Sequence, residues 1–273
     1  LKLSIKSGQP VKMVMSRSEV FRATGPTSGA VVAVKVGVKK NGKITAGEAT
    51  LKYQAGAFAG SPVQLGAMCA FAPYDIANVK VVGFDIVTNR PKVAAYRAPG
   101  APMVAFGVET VIDEMARECG LDPIDFRLLN AAKEGTQTHF GPKLGPIGYI
   151  QTLERAKAHA HMKEKLGPNQ GRGVALGYWM HGGGLSSVAV HLQDDGTVTV
   201  ATGNPDIGGS RSSMRVMAAE ELGIDIEHIK PIVADTGSLG YSHLTAGSRT
   251  TFATGMAVIN SIREIIEKLR ALA

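Results

Sequence analysis

Apolar and polar positions along this chain follow two rhythms, one of period two and one of period three to four, and these set most of the elements. Val31–Val38 ("VVAVKVGV") and the stretch from Ile44 to about Phe58 alternate with β-branched residues, and Asn41-Gly42 between them predicts a hairpin. "NVKVVGFDIVTN" (Asn78–Asn89) predicts another strand, as does "VKMVMS" from Val11, after which a charged link follows. Helical spacing takes over after "AAYRAPGAP". Pro102 suits a first helical position, Val104, Val108, Val111, Ile112 and Met115 share a face, and Gly120 suits a left-handed cap. Asp122-Pro123 then opens a short helix, "PIDFRLLNAA".

Residues 133–148 are rich in Gly and Pro and predict loops, so the chain divides into a first unit, 1–148, and a second, 149–273. A helix from Tyr149 to about Lys165 leads to strands in "GVALGYWM", "LSSVAVHL" and "TVTVATG", the last two turning at Asp195-Gly196. A helix Ser212–Leu222, a strand "IKPIVAD" and a final helix complete the chain; Phe252, Met256, Ile259, Ile262, Ile266 and Leu269 mark the last helix's apolar face. Strands and helices mix without regular βαβ alternation, which predicts an α+β fold: mixed sheets packed with helices, in two linked units.

Composition narrows the function. With 44% apolar and 19% charged residues in 273, the chain can bury a substantial core. Its net charge of +7 is scattered rather than gathered into a basic run, so nucleic acid is not an expected partner. No apolar run approaches the roughly 18 residues of a membrane span, and no signal peptide is visible, so a cytoplasmic location is expected. Cys69 and Cys119 make neither a disulfide framework nor a metal site and suit buried free thiols. His159 and His161, two apart on a helix, fall on different faces, so no protein-ligated metal is expected.

Two stretches carry the candidate chemistry. "GNPDIGGSRSSMRVMAAEELG" and "TAGSRTTFATGMAVI" each lead a Gly-Ser-Arg sequence and hydroxyls into a helix. The first amides of a helix lack internal partners and lie at the positive end of its dipole, so glycine-led starts suit an anion, above all a phosphate. Gly208, Gly209, Ser210, Arg211 and Ser212 form one such start; Ala246, Gly247, Ser248, Arg249 and Thr250 form the other. Ordinary helix capping accounts better for either start taken alone; it is the pair, each with an adjacent arginine, that brings a phosphate-bearing ligand level with it. Arg97, in "YRAPG", suits an oxyanion or a structural ion pair. The single tryptophan, Trp179, sits with Tyr178 before three glycines, which suits a flat ligand or a plain core strand.

Together, "GQPVKMVMSRSEVF", "AYRAPGAPMVAFGVETVIDEMARECGLDPIDFRLLN", "PDIGGSRSSMRVMAAEELGI" and "GSRTTFATGMAV" closely resemble the molybdenum-cofactor subunit of the xanthine dehydrogenase, aldehyde oxidase and carbon monoxide dehydrogenase family. The resemblance runs in order over nearly the whole chain. It implies two linked molybdopterin-binding subdomains, with a molybdopterin, in some members its cytosine dinucleotide, cradled by the two helix starts and by Arg97. The metal rides on the pterin dithiolene, which accounts for the lack of protein ligands. The implied enzyme hydroxylates or oxidises a small molecule with water as oxygen donor and passes electrons to iron–sulfur and flavin (FAD) partner subunits or domains. Tyr178, with Trp179 beside it, falls where a substrate-packing aromatic is found, and Pro99 stands where many members carry a phenylalanine. Gly209 replaces a cofactor-binding glutamine of the family, and its Gly-x-Gly-Glu loop, bearing the general base, does not occur. The chain is therefore expected to be an internal fragment, inactive alone, completed by the remainder of its subunit. The alternative is a non-catalytic module of that ancestry that binds a phosphate ligand or a partner chain.

Overall fold

The computed structural model describes residues 1–233 and 235–273, which form two compact units, Leu1–Trp179 and Met180–Ala273. The first begins with α1 (Lys2–Ser7) and α2 (Arg17–Ala23), neither of which buries a residue. The expected strand at Val11–Ser16 is absent. Met13 and Val14 are exposed there, and no neighbouring strand offers the hydrogen bonds a strand needs. Where a charged link was expected, α2 forms behind a capping box in which Ser16 and Glu19 satisfy each other's backbone amides.

A three-stranded sheet follows: β1 (Ala30–Val38) runs antiparallel to β2 (Ile44–Gly56), and β2 runs parallel to β3 (Asn78–Val87). The hairpin closes with a three-residue loop in which Gly42 takes φ +85° and Lys39 N–H donates to Lys43 O. From Gly47 onward β2 alternates, burying Ala49, Leu51, Tyr53 and Ala55 on one face. The parallel crossover to β3 contains α3 (Val63–Cys69), which the apolar rhythm did not mark.

Helix α4 (Ala101–Glu118) covers the sheet with Val104, Val108, Ile112 and Ala116. It approaches β1 closely because position 107 is glycine; a Cβ there would stand 2.6 Å from Val32 Cγ1. Helix α5 (Pro123–Asn130) is capped by Asp122, and buried Asn130 ties it to the hairpin through Ile44 N–H and Gly42 O, each at 2.9 Å. The helix expected from Tyr149 breaks at extended His159 into α6 (Tyr149–Ala158) and α7 (Ala160–Lys163). Leu153 of α6 packs with Ile124 and Ala131, so this segment belongs to the first unit's core. The expected strand 173–180 has no strand partner up to Trp179, where the first unit ends.

The second unit repeats the connectivity. β4 (Val188–Leu192) pairs antiparallel with β5 (Val198–Thr202), which pairs parallel with β6 (Ile229–Val233). Ala234, inside the expected strand "IKPIVAD", lies outside the described residues. The crossover carries α8 (Ser210–Leu222), and α9 (Gly255–Leu272) closes the layer. Val198, Val200, Met214, Ala218, Ile229, Val258 and Ile262 form the core. The expected face of the last helix is only partly right: Ile262 is buried, whereas Phe252 and Met256 are exposed. A π turn at Thr250–Thr254 precedes α9 and puts Phe252 out of phase with it. Mixed sheets packed with helices in two units are the α+β arrangement that the chain's patterning implies.

Candidate functional site

In the second unit both glycine-led helix starts exist, and each is differently filled. At α8, Gly208 and Gly209 take φ +138° and +93°, conformations that only glycine adopts without strain. Their amides and that of Ser210 all donate to one oxygen, Asp206 Oδ1, at 3.2, 2.9 and 3.1 Å, and the Ser210 hydroxyl adds a fourth bond at 3.2 Å. Arg211 stands 3.7 Å from the other carboxylate oxygen. The start thus accepts an anion, and that anion is its own aspartate. Ser212 is exposed at the first turn.

These amides, that of Gly208 foremost, hold the Asp206 carboxyl below the ordinary aspartate value. A depressed folded value contributes stability above the unfolded value, and that stability disappears as pH falls through the folded one. The amide resonances of Gly208, Gly209 and Ser210 are therefore expected to shift together in an acid titration, with a midpoint below that of an exposed aspartate. A midpoint at the ordinary value would contradict this geometry.

At the second start Gly247 and Ser248 are left-handed, φ +69° and +59°, and turn the chain into the π turn. Arg249 is 3% exposed and faces inward. Its guanidinium donates to Gly183 O (2.8 Å), His243 O (3.1 Å), Gly184 O (3.1 Å), Leu185 O (2.7 Å) and Ser186 Oγ (2.6 Å). Five acceptors, on the loop carrying the three glycines and on His243, thus share its Nε, Nη1 and Nη2 groups, three of them at Nη2. Ser186 Oγ lies 3.0 Å from Thr254 Oγ1, which donates to Asn204 Oδ1 at 2.6 Å, and Asn204 Nδ2 reaches Thr245 Oγ1 at 3.2 Å. Buried Asn204 therefore ties the segments that lead into the two starts. Neither Asn204 nor Asp206 is marked by a local pattern in the sequence. The Thr250 hydroxyl is buried without a hydrogen-bond partner.

The first unit holds the remaining candidates. Tyr178 and Trp179 line a cavity of about 380 Å³ with Cys69, Ala98, Ala101, Val108, Glu109 and Leu176, among others. Phe140, from the loop expected only to link units, packs its ring 5.8 Å from that of Tyr178. Burial pushes the Cys69 thiol up to about 11, so it is a neutral wall group at physiological pH. Ala98, φ +53°, belongs to the wall, whereas its neighbours Arg97 and Pro99 do not. Arg97 is exposed and already engaged by an interaction. The turn is anchored because Tyr53 donates to Gly100 O at 2.8 Å, and a Cβ at Gly100 would strike Pro62 O at 2.4 Å. Among the described residues, no group of three or more His, Cys, Asp or Glu is placed to hold a metal, and no helix is long and apolar enough to cross a membrane.

Two family models, each described as a molybdopterin cofactor-binding domain, match residues 2–131 and 149–273. The xanthine dehydrogenase molybdenum-binding subunit of Escherichia coli is 27% identical over 97% of this chain and 38% of its own length. Xanthine dehydrogenase/oxidase of Gallus gallus is 28% identical over 98% of this chain and 21% of its own. The aldehyde oxidoreductase structure from Desulfovibrio gigas superposes with a TM-score of 0.80 at 25% identity, over 97% of this chain and 31% of that one. The chain belongs to the family of molybdopterin-binding subunits of the xanthine dehydrogenases and aldehyde oxidoreductases. It spans between about a fifth and two-fifths of the length of these relatives.

Proposed function

We propose that this chain forms part of the cofactor-holding core of a molybdenum hydroxylase, an oxidoreductase that hydroxylates or oxidises a small molecule with water as oxygen donor. In that reading, electrons leave to iron–sulfur and flavin partners in the cytoplasm, and the two cofactor-binding regions divide near residues 148 and 149. The observation that carries it is the pairing of two molybdopterin-binding family matches with two glycine-led helix starts joined through Asn204.

The donor chemistry of the residues fits an anionic cofactor at most positions. Gly208, Gly209 and Ser210 already bind a carboxylate, and the buried Thr250 hydroxyl awaits a partner. Arg249 does not fit, because its guanidinium is consumed by backbone carbonyls. Gly208, Gly209, Ser210, Arg211 and Ser212 would hold the anionic portion of a molybdopterin, in its simple or cytosine-dinucleotide form. Ala246, Gly247, Ser248 and Thr250 would hold it from the second start, with Arg97 as a further cation. Asp206 would yield the three amides it now occupies. When bound, such a cofactor carries the molybdenum and supplies the two-electron redox chemistry, while the protein supplies position and polarity. Tyr178 and Trp179 would wall the substrate pocket, with Pro99 near its turn. The general base is expected from a glutamate outside these 273 residues, so the chain alone is expected to be inactive.

Metal and pterin analysis of the whole subunit, produced with its partners in a host that makes the cofactor, tests this. Molybdenum and pterin are expected to copurify. Absence of both would overturn the proposal.

A further inference from the structure

Residues 173–179 carry the two aromatic residues of the cavity wall, yet they lie in no sheet. Such a segment needs other partners for its backbone polar groups. Two hydrogen bonds from side chains hold its middle. Leu176 N–H donates to Glu109 Oε2 at 2.8 Å, and the Tyr149 hydroxyl donates to Gly177 O at 3.0 Å. Both contacts lie directly before Tyr178 and Trp179.

The Glu109 carboxylate is itself fixed from behind. Glu109 is 6% exposed and sits on the buried face of α4, where a carboxylate needs a cation and several donors. Arg127, fully buried, supplies them from α5: its Nη2 and Nε lie 2.9 and 3.0 Å from Glu109 Oε2. The Tyr74 hydroxyl donates to the other oxygen at 2.5 Å. Arg127 also pairs with Asp113 at 2.7 Å and donates to Pro123 O at 3.1 Å. One oxygen of Glu109 thus receives both its counter-ion and the amide of the wall segment.

We infer that Glu109 and Tyr149 are positioning residues: they set the Leu176–Trp179 segment so that Tyr178 and Trp179 form the cavity wall. The importance of this for turnover rests on the proposed reading of that cavity as the substrate pocket. The positioning itself does not. A purely structural ion pair between α4 and α5 would serve without any bond to Leu176. The geometry instead spends the same oxygen on both.

Trp179, the only tryptophan, gives a local readout. In the 273-residue chain, Glu109→Gln and Tyr149→Phe are expected to raise acrylamide quenching of its fluorescence by about twofold, as a wall segment released from its tethers opens locally. Asp113→Asn, which touches the Arg127 side of the network but not the segment, is expected to leave quenching unchanged even if it lowers stability. Should Glu109→Gln not fold, the apolar double variant Glu109→Met with Arg127→Met removes the buried charges together and still deprives Leu176 N–H of its acceptor, so quenching is expected to rise there as well. Unchanged quenching in the folded Glu109 variants, or an equal rise in Asp113→Asn, would overturn the inference. In the assembled enzyme, Tyr178→Ala reports separately on the pocket reading. If it leaves KM unchanged while the Glu109 variants still alter Trp179, the wall is positioned as inferred but does not contact substrate.

Discussion

Arg127→Met is expected to destabilise the first unit by about 3–5 kcal/mol, the cost of breaking a buried ion pair by removing one partner. Methionine matches much of the arginine's length, so packing is largely kept and the loss is electrostatic. Glu109, 6% exposed, would retain its Tyr74 and Leu176 donors but lose its counter-ion. Asp113 is a lesser term because its side chain is 43% exposed and water can solvate it. The double variant Glu109→Met with Arg127→Met is expected to recover most of the loss, since an apolar pair avoids the desolvation of both charges. Urea unfolding of the wild type, both single variants and the double variant measures this cycle. A single Arg127→Met within about 1 kcal/mol of wild type would show that the carboxylate finds water instead.

The elements legible in the sequence are those whose signal is local. Asn41-Gly42 and Asp195-Gly196 both make three-residue hairpin loops with glycine in the left-handed region, as their composition requires. The Val104, Val108 and Ile112 face of α4 and the Asp122 cap of α5 follow from spacing alone. What was not legible depends on distant partners. The segment 173–179 alternates like a strand, but no neighbouring strand pairs with it, and its backbone is held by Glu109 and Tyr149 instead. The role of Glu109 could have been suspected from a carboxylate on the apolar face of a helix, since a buried carboxylate demands a partner. Nothing near it in sequence points to Arg127. The last helix failed in phase rather than in kind, because a π turn carries no strong local signature.

The two helix starts show how the same three letters take opposite roles. Gly209-Ser210-Arg211 and Gly247-Ser248-Arg249 read alike, yet the Arg211 side chain is 52% exposed and Arg249 is buried. The difference arises across the fold. The loop 182–186 passes beneath Arg249, where its carbonyls meet the guanidinium, whereas Arg211 faces the Asp206 carboxylate from an exposed position. Asp206 is likewise settled by the folded turn, in which its carboxylate takes the amides of Gly208, Gly209 and Ser210. The spacing pointed those amides at an external anion and gave no sign of the internal one. Both findings concern the competition for donors at a helix start, which spacing cannot decide.

Arg249→Met is accordingly expected to weaken the second unit by about 2–4 kcal/mol with no cofactor present, since hydrogen bonds to a charged group are worth about 1.5–3 kcal/mol each and water recovers several of the freed acceptors. Leu185 and His243 are already exposed, so their carbonyls resolvate most readily. The buried chain from Ser186 through Thr254 to Asn204 cannot do so and is expected to loosen. Hydrogen exchange should therefore quicken at residues 182–186 and across Thr250–Thr254, alongside a lower urea midpoint. Arg249→Lys is expected to fall between the two, because a single ammonium with three donors cannot span the five acceptors that the three guanidinium nitrogens reach. A residue that served only to bind a cofactor phosphate would behave in the opposite way: its loss would leave the cofactor-free chain unchanged and weaken only the loaded enzyme. Wild-type stability and exchange in Arg249→Met would thus return Arg249 to the cofactor and remove it from the frame of the site.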